Sequence, residues 1–152
     1  MFNMDTFRIG IGSDHAGFDY KEAIRDSLKK NGMHVKDFGT YTPESVDYPD
    51  YVHPLCTEMD KGTIDIGILL CGSANGVAMT ANKHAGVRAA VSWENDIAVL
   101  ARRHNDANVV CIPARFVSEE LAIEMVNLFL NTEFEGGRHQ RRVDKVLFKM
   151  AK

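Results

Sequence analysis

The side chains best suited to chemistry are Cys71, the Asp14-His15 pair, His104, and the cluster of arginines and histidine from Arg138 to Arg142. Cys71 follows the apolar run Ile64–Leu70 and precedes Gly72-Ser73-Ala74-Asn75-Gly76. A thiol at the end of a buried strand, followed by a Gly-containing turn that feeds a helix, sits beside an anion-binding geometry. The backbone N–H groups of residues 72–76 point into the turn, and the helix dipole adds partial positive charge. A cysteine beside such donors is more acidic than a free thiol. The plainer alternative is a buried cysteine that ends a core strand, with a turn that only reverses the chain.

Several chemistries fail on spacing. A cysteine phosphatase needs an arginine six residues after the thiol, to hold the phosphoryl group, and that position is Val77. The Gly-Lys-Ser/Thr of a nucleotide-binding P-loop is absent. Gly10 and Gly12 are followed by Asp14-His15, with no glycine before Gly17, so the dinucleotide fingerprint fails too. Asp14 and His15 read either as site residues at a strand end or as an N-cap and its neighbour. His104 reads either as a site residue or as a turn residue after a helix. Arg138 and Arg142 are four apart and share a helical face, which suits a bidentate grip on phosphate. The alternative is a solvated basic helix start, which opposes the helix dipole.

These residues need a frame. The spacing predicts strands at Phe7–Ser13, Met33–Phe38, Ile64–Leu70, Arg88–Val91 and Val109–Ile112. Helices are expected over Phe18–Asn31, Tyr51–Lys61, a short stretch ending near Lys83, Glu94–Arg103, a segment capped by Ser118 and running to Asn131, and about His139–Met150. Pro54 is expected in the first turn of its helix, because an interior proline breaks the ladder. The stripe Val143, Val146, Leu147 and Met150 motivates the last helix. Strands alternating with helices predict an α/β fold: a Rossmann-like three-layer sandwich with a mostly parallel five-stranded sheet, in one domain over residues 1–152. In such sheets ligands bind beyond the carboxyl ends of strands, where Asp14, His15 and Cys71 fall.

The totals narrow the class. The chain has 152 residues, 45% hydrophobic, with net charge -3. That balance suggests neither nucleic acid nor a membrane surface as partner. No apolar run approaches a membrane span, and the N-terminal stretch has no secretory-signal pattern. Three cysteines without a CxxC pair argue against a disulfide framework or a cysteine-based zinc site, so a reduced, cytoplasmic setting is expected.

Ser13-Asp-His-Ala-Gly17, Asp47-Tyr-Pro49, Cys71-Gly-Ser73, Gly86-Val-Arg-Ala89, Arg103-His-Asn-Asp106 and Gly136-Gly-Arg-His-Gln-Arg-Arg142 together resemble the type B ribose-5-phosphate isomerases. The wider family also holds allose-6-phosphate and galactose-6-phosphate isomerases. The resemblance runs from Arg8 to about Leu147. It implies an aldose–ketose isomerase with no metal and no cofactor, acting on a small sugar phosphate as a homodimer or tetramer with shared active sites. Carried over by position, Cys71 is the base that moves a proton between C1 and C2. Ser73, Asp14 and His104 assist ring opening. Gly72, Ala74, Asn75 and Gly76 offer backbone N–H groups to the enediolate oxygen. Tyr48 and Asn105 contact the sugar. Arg115, Arg138 and Arg142, with His15 or His139, hold the phosphate.

Ser73 stands where many members have Thr, which keeps the hydroxyl. Ala74-Asn75 replaces residues that vary in the family, so the resemblance leaves the choice between pentose and hexose phosphate open. Some members use a glutamate six residues after the cysteine position instead, but Val77 stands there, which leaves Cys71 as the base. Two other classes compete. A phosphosugar- or nucleotide-binding module keeps the arginines and the turn without needing Cys71. A metal-dependent hydrolase using Asp14, His15 and His104 loses activity on chelation.

Overall fold

The structure is a computed structural model that describes residues 7–151. The N-terminal stretch read for a leader lies mostly outside those residues. Five strands, β1 (Ile9–Ser13), β2 (Val35–Asp37), β3 (Ile66–Cys71), β4 (Ala89–Val91) and β5 (Val109–Pro113), form one sheet in the order β2-β1-β3-β5-β4. Every pairing is parallel, so the sheet is wholly rather than mostly parallel. Six helices connect and flank the strands: α1 (Phe18–Lys30), α2 (Pro49–Asp60), α3 (Asn75–Ala81), α4 (Asn95–Asn105), α5 (Glu119–Leu130) and α6 (Arg138–Val143).

Side-chain alternation along the strands sorts the core into two layers. Ile66, Ile68 and Leu70 of β3, with Val110 and Ile112 of β5, pack against α1, α4 and α5 through Ile24, Ala98, Met125 and Phe129. Leu69 and Cys71, with Val109 and Cys111, face α2 and α3 through Leu55, Cys56, Val77 and Ala81. Fully burying a side chain of the size of Leu or Phe contributes about 1.5–3 kcal/mol. The central strands are apolar on both faces because both faces are covered.

Three expectations change. α2 begins at Pro49, two residues before its expected start, so Pro54 is the sixth residue of the helix and not in its first turn. Pro49 takes the first helical position, where a missing N–H costs nothing. His104 and Asn105, expected in a turn, are the last residues of α4, and Asp106 closes the helix in a left-handed conformation with φ of 47°. α6 stops at Val143 instead of continuing to Met150. Val146, Leu147, Phe148 and Met150 are exposed. An apolar stripe holds a helix only where it is buried against something, and among the described residues this one only lines an open cleft with Ala89 and Ala90.

One buried cation fixes the neighbourhood of the carboxyl edge. Lys21 of α1 is 0% exposed, and its Nζ lies 2.7 Å from carboxylate oxygens of both Asp37 and Glu22. Asp37 also accepts from Arg25 at 2.8 Å and from the Gly39 N–H at 2.9 Å. Burial alone raises the Asp37 pKa, but the hydrogen bonds from Lys21 and Gly39 and the charge of Lys21 outweigh it and hold the carboxyl below its ordinary value. Beyond Gly39 the chain stays tied to β1, with Ser13 N–H donating to Gly39 O and Thr40 N–H to Ser13 O, both at 2.8 Å.

Asp37→Ala therefore leaves Lys21 buried with one carboxylate partner fewer. Breaking a buried pair costs about 3–5 kcal/mol, and the remaining Glu22 contact puts the loss at about 3 kcal/mol, read as a shift of the urea midpoint. The Asp37 contribution is fully present above the unfolded aspartate pKa of about 3.9 and is lost as pH falls through the depressed folded value. The variant should accordingly lose stability less steeply than the parent below that pH.

Candidate active site

β1 and β3 pair with Ser13 opposite Leu70, so the next residues, Asp14 and Cys71, leave the sheet side by side. β2 lies on one flank of β1 and β3 on the other, so this is where the strand order reverses. A switch point at the carboxyl edge is where an open parallel sheet leaves a crevice. A cleft of about 540 Å³ opens there, lined by Asp14, Tyr48, Cys71, Gly72, Ser73, Gly76, Arg115 and Phe116.

Two glycines make room for the walls. A Cβ on Gly76 would lie 2.4–2.7 Å from ring atoms of Tyr48, so only glycine lets that ring lie over the first turn of α3. A Cβ on Gly72 would meet the Arg115 side chain at 3.2 Å, and the Arg115 N–H donates to Gly72 O at 3.1 Å. Tyr48 and Arg115 thus close over the turn from opposite elements. Ser73 Oγ accepts from the Asn75 N–H at 3.4 Å, which leaves its own O–H free to donate. Ala74, fully buried, takes a left-handed conformation with φ of 64° and swings the chain into α3. The first N–H groups of α3 have no intrahelical partner, by the geometry of any helix start.

Of the two roles the sequence left open for Asp14, the structure supports the place in the cleft and not the N-cap. The Asp14 Oδ1 accepts from the N–H groups of Ala16 and Gly17 at 2.9 and 3.2 Å and so braces the turn before α1, whose N-cap is Gly17 and not Asp14, while Asp14 also lines the cleft. His15 turns to the loop instead, and its Nδ1 takes the Val46 N–H at 3.2 Å.

The three thiols differ in setting. Cys56 and Cys111 are sealed in the α2–α3 layer. Burial, with the nearby Asp60 charge, pushes the Cys56 thiol up to about 12. Burial, with Cys71 and Cys56 alongside, pushes Cys111 well above its ordinary value. Cys71 alone of the three opens onto the cleft.

The remaining sequence candidates lie elsewhere. His104 ends α4, and the turn after it leads to Asn108, whose N–H donates to Arg88 O just before β4. It therefore sits at the amino edge of the sheet. β5, five residues long, separates the edges by roughly 16 Å at ~3.3 Å per residue. At that edge His104 stacks on His139, with ring centroids 4.1 Å apart and planes 11° from parallel. Arg138 and Arg142 belong to the same helix as His139. Asn105 lines a neighbouring cleft with Arg88, Val143 and Leu147. Burial, then the neighbouring His104 and Arg138, hold the His139 pKa below its ordinary value.

Two residues escaped the sequence reading. Phe116 forms part of the cleft wall and is 75% exposed; its signal was its place next to Arg115, just past a strand end. Glu135 faces both stacked imidazoles, 3.8 Å from His104 Nε2 and 3.9 Å from His139 Nε2. It sits in a loop before α6, so no helical spacing announced it.

A family model described as Ribose/Galactose Isomerase matches residues 9–146. Ribose-5-phosphate isomerase B of Escherichia coli (strain K12) is 42% identical over 139 residues, covering 91% of this chain and 93% of the relative. A crystal structure of a ribose 5-phosphate isomerase from Thermotoga maritima superposes with a TM-score of 0.90 at 45% identity, covering 93% of this chain and 97% of that one. Ribose-5-phosphate isomerase B from Mycoplasma genitalium, solved with bound ribulose-5-phosphate, superposes with a TM-score of 0.89 at 43% identity, covering 93% and 94%.

The thiol settings predict selective labelling. Limited iodoacetamide at neutral pH should alkylate the peptide that holds Cys71 and leave Cys56 and Cys111 unmodified in the folded protein, since Cys71 alone of the three opens onto the cleft while the other two are sealed and held protonated by burial. Peptide mass spectrometry reads the result, and equal labelling of all three would contradict the assignment.

Proposed function

The chain belongs to the ribose/galactose isomerase family, and from that premise we propose that it interconverts ribose 5-phosphate and ribulose 5-phosphate through an enediolate. The observation that carries the reading is the cleft at the switch point, where a thiol, a hydroxyl, a carboxylate and a guanidinium converge. Moving a proton between C1 and C2 needs a base next to the carbonyl carbon and donors for the oxygen that gains charge. Cys71 is the base. The N–H groups of Gly72, Ala74, Asn75 and Gly76 face the enediolate oxygen. Ser73 and Asp14 exchange protons with the sugar oxygens during ring opening, and the Tyr48 ring contacts the sugar. Arg115 takes part in holding the phosphate. Allose 6-phosphate or galactose 6-phosphate is the alternative substrate, since the matching family model covers ribose and galactose isomerases alike.

His104, Asn105, Arg138, His139 and Arg142 complete the site from a second subunit, with His139 rather than the loop-bound His15 as the histidine at the phosphate. One chain holds its thiol at the carboxyl edge and its histidine–arginine cluster at the amino edge. A two-fold dimer brings one edge of each chain against the opposite edge of the other and builds two equivalent sites. The exposed Val146, Leu147 and Phe148 next to α6 supply apolar surface for such a contact. The protein acts as a single-domain, metal-free cytoplasmic enzyme of pentose phosphate metabolism, as a homodimer or a tetramer of dimers.

Cys71→Ala should lower kcat by about 10²–10⁴-fold, the usual worth of a positioned base, with little change in phosphate inhibition. Solvent exchange of the C2 proton at the parental rate in this variant would place the base elsewhere.

Mixing Cys71→Ala with His104→Ala protein under subunit exchange tests the shared site. A mixed dimer holds one intact and one doubly defective site. Random pairing makes half the dimers mixed, so roughly a quarter of parental activity should return. Verified exchange without recovery would remove either the shared site or the role of His104.

A further inference from the structure

The cluster at the amino edge has a chemistry of its own. His104 and His139 present Nε2 to the two oxygens of one carboxylate, Glu135, at 3.8 and 3.9 Å. Neither distance is a hydrogen bond. His139 is buried at 5% exposure, and its Nε2 has no hydrogen-bond partner. An orphaned buried ring nitrogen normally has a reason. The ligating atoms of all three residues lie within 4.8 Å of one another. The Glu135 N–H donates to Arg103 O at 3.0 Å, which holds the carboxylate against the last turn of α4.

We propose that His104, Glu135 and His139 form a binding site for a borderline divalent cation such as Zn²⁺, Co²⁺ or Ni²⁺, and that its occupancy blocks the isomerase instead of assisting it. Two imidazoles and one carboxylate are the donor set such ions take, with a fourth position left for water. Zinc-ligand bonds of about 2.0–2.2 Å place neighbouring tetrahedral ligands about 3.3 Å apart. The two imidazole–carboxylate spacings must close by about half an ångström, and the widest of the three, at most 4.8 Å, by up to about 1.5 Å, with the stacked rings turning so that both Nε2 lone pairs converge. An anion seated between the two Nε2 atoms would face the Glu135 carboxylate, whereas a cation would be neutralised by it. Arg138 and Arg142 oppose a cation, which favours reversible over permanent loading. A bound cation would occupy the ring nitrogens of His104 and His139, so neither would be available to substrate.

Binding is tested by titrating the full-length, metal-free protein with Zn²⁺ in a calorimeter, beside Glu135→Gln, His139→Asn and His53→Ala. Glu135 is 54% exposed, so its substitution leaves the fold intact even if His139→Asn does not fold. His53 is the control because its Nδ1 lies 2.8 Å from His84 Nε2 in a separate pair. One saturable zinc per chain is expected, weakened in Glu135→Gln by at least about tenfold, the loss that even an outer-shell partner causes. His53→Ala should bind as the parent does. No saturable binding, unchanged affinity in Glu135→Gln, or loss in His53→Ala would overturn the site. The blocking half rests on the proposed function and is read separately: zinc should inhibit the isomerase, a chelator should restore it, and Glu135→Gln should resist. Zinc bound at this site with isomerisation undiminished would overturn the block. Absence of isomerisation in metal-free protein would instead count against the proposed function and leave the binding result standing.

Discussion

The pairing of β1 with β3 is the contact on which the site depends. Its register sets Ser13 against Leu70. Everything that follows in the chain, Asp14 on one strand and Cys71 on the other, is therefore delivered to the same point at the same edge. A slip of one residue would turn Cys71 away from the α2–α3 layer and into the layer of α1, α4 and α5. The register is held by burial of both faces of β3, where Ile68, Leu69 and Leu70 are each fully covered. The precision of the cleft is thus a by-product of ordinary core packing.

Polarity of the strands explains the division of labour between the two edges. In a parallel sheet every strand presents its carboxyl end on the same side, and the helices return the chain to the other. Residues just after strands and residues at the ends of helices cannot meet within one chain. Cys71, Arg115 and Asp14 belong to the first class; His104 and Asn105 belong to the second. Burial adds a chemical distinction to the spatial one. The thiols of Cys56 and Cys111 are held protonated by the apolar layer around them, so thiol chemistry is concentrated at the position where the sheet opens.

Strands and most helices were legible in the sequence because their signals are local. The apolar run before Cys71 and the cap at Ser118, whose Oγ accepts from the Leu121 N–H at 3.1 Å, are each decided within a few residues. What was not legible depended on tertiary contact. The end of α6 is set by what its apolar stripe can be buried against, and the pattern of Val143, Val146, Leu147 and Met150 carries no such information. The start of α2 depends on Tyr48 O, which accepts from the N–H groups of Tyr51 and Val52 at 3.1 Å. Within the site, the strand-end residues were legible as neighbours because the topology follows from alternation. Tyr48 over Gly76 was not, because a loop and a helix start meet there without any periodic relation. Glu135 shows the same limit: a loop residue gains its place from the fold alone.

The segment between β2 and α2 is fastened at both ends and exposed between, with the Tyr41 hydroxyl donating to Asp37 O at 3.1 Å. Gly39 and Thr40 are bonded to β1, Val46 to His15, and Tyr48 is the N-cap of α2, while residues 41–45 are exposed. Closing a somewhat longer or shorter loop between fixed ends changes the chain entropy only slightly. Insertions or deletions within 42–45 therefore alter the rim above the cleft without disturbing the sheet beneath it, whereas Tyr41 is bonded to β2 at Asp37 O. Evolution can resize this mouth cheaply, by changing the length of the chain at one place while every strand register stays as it is.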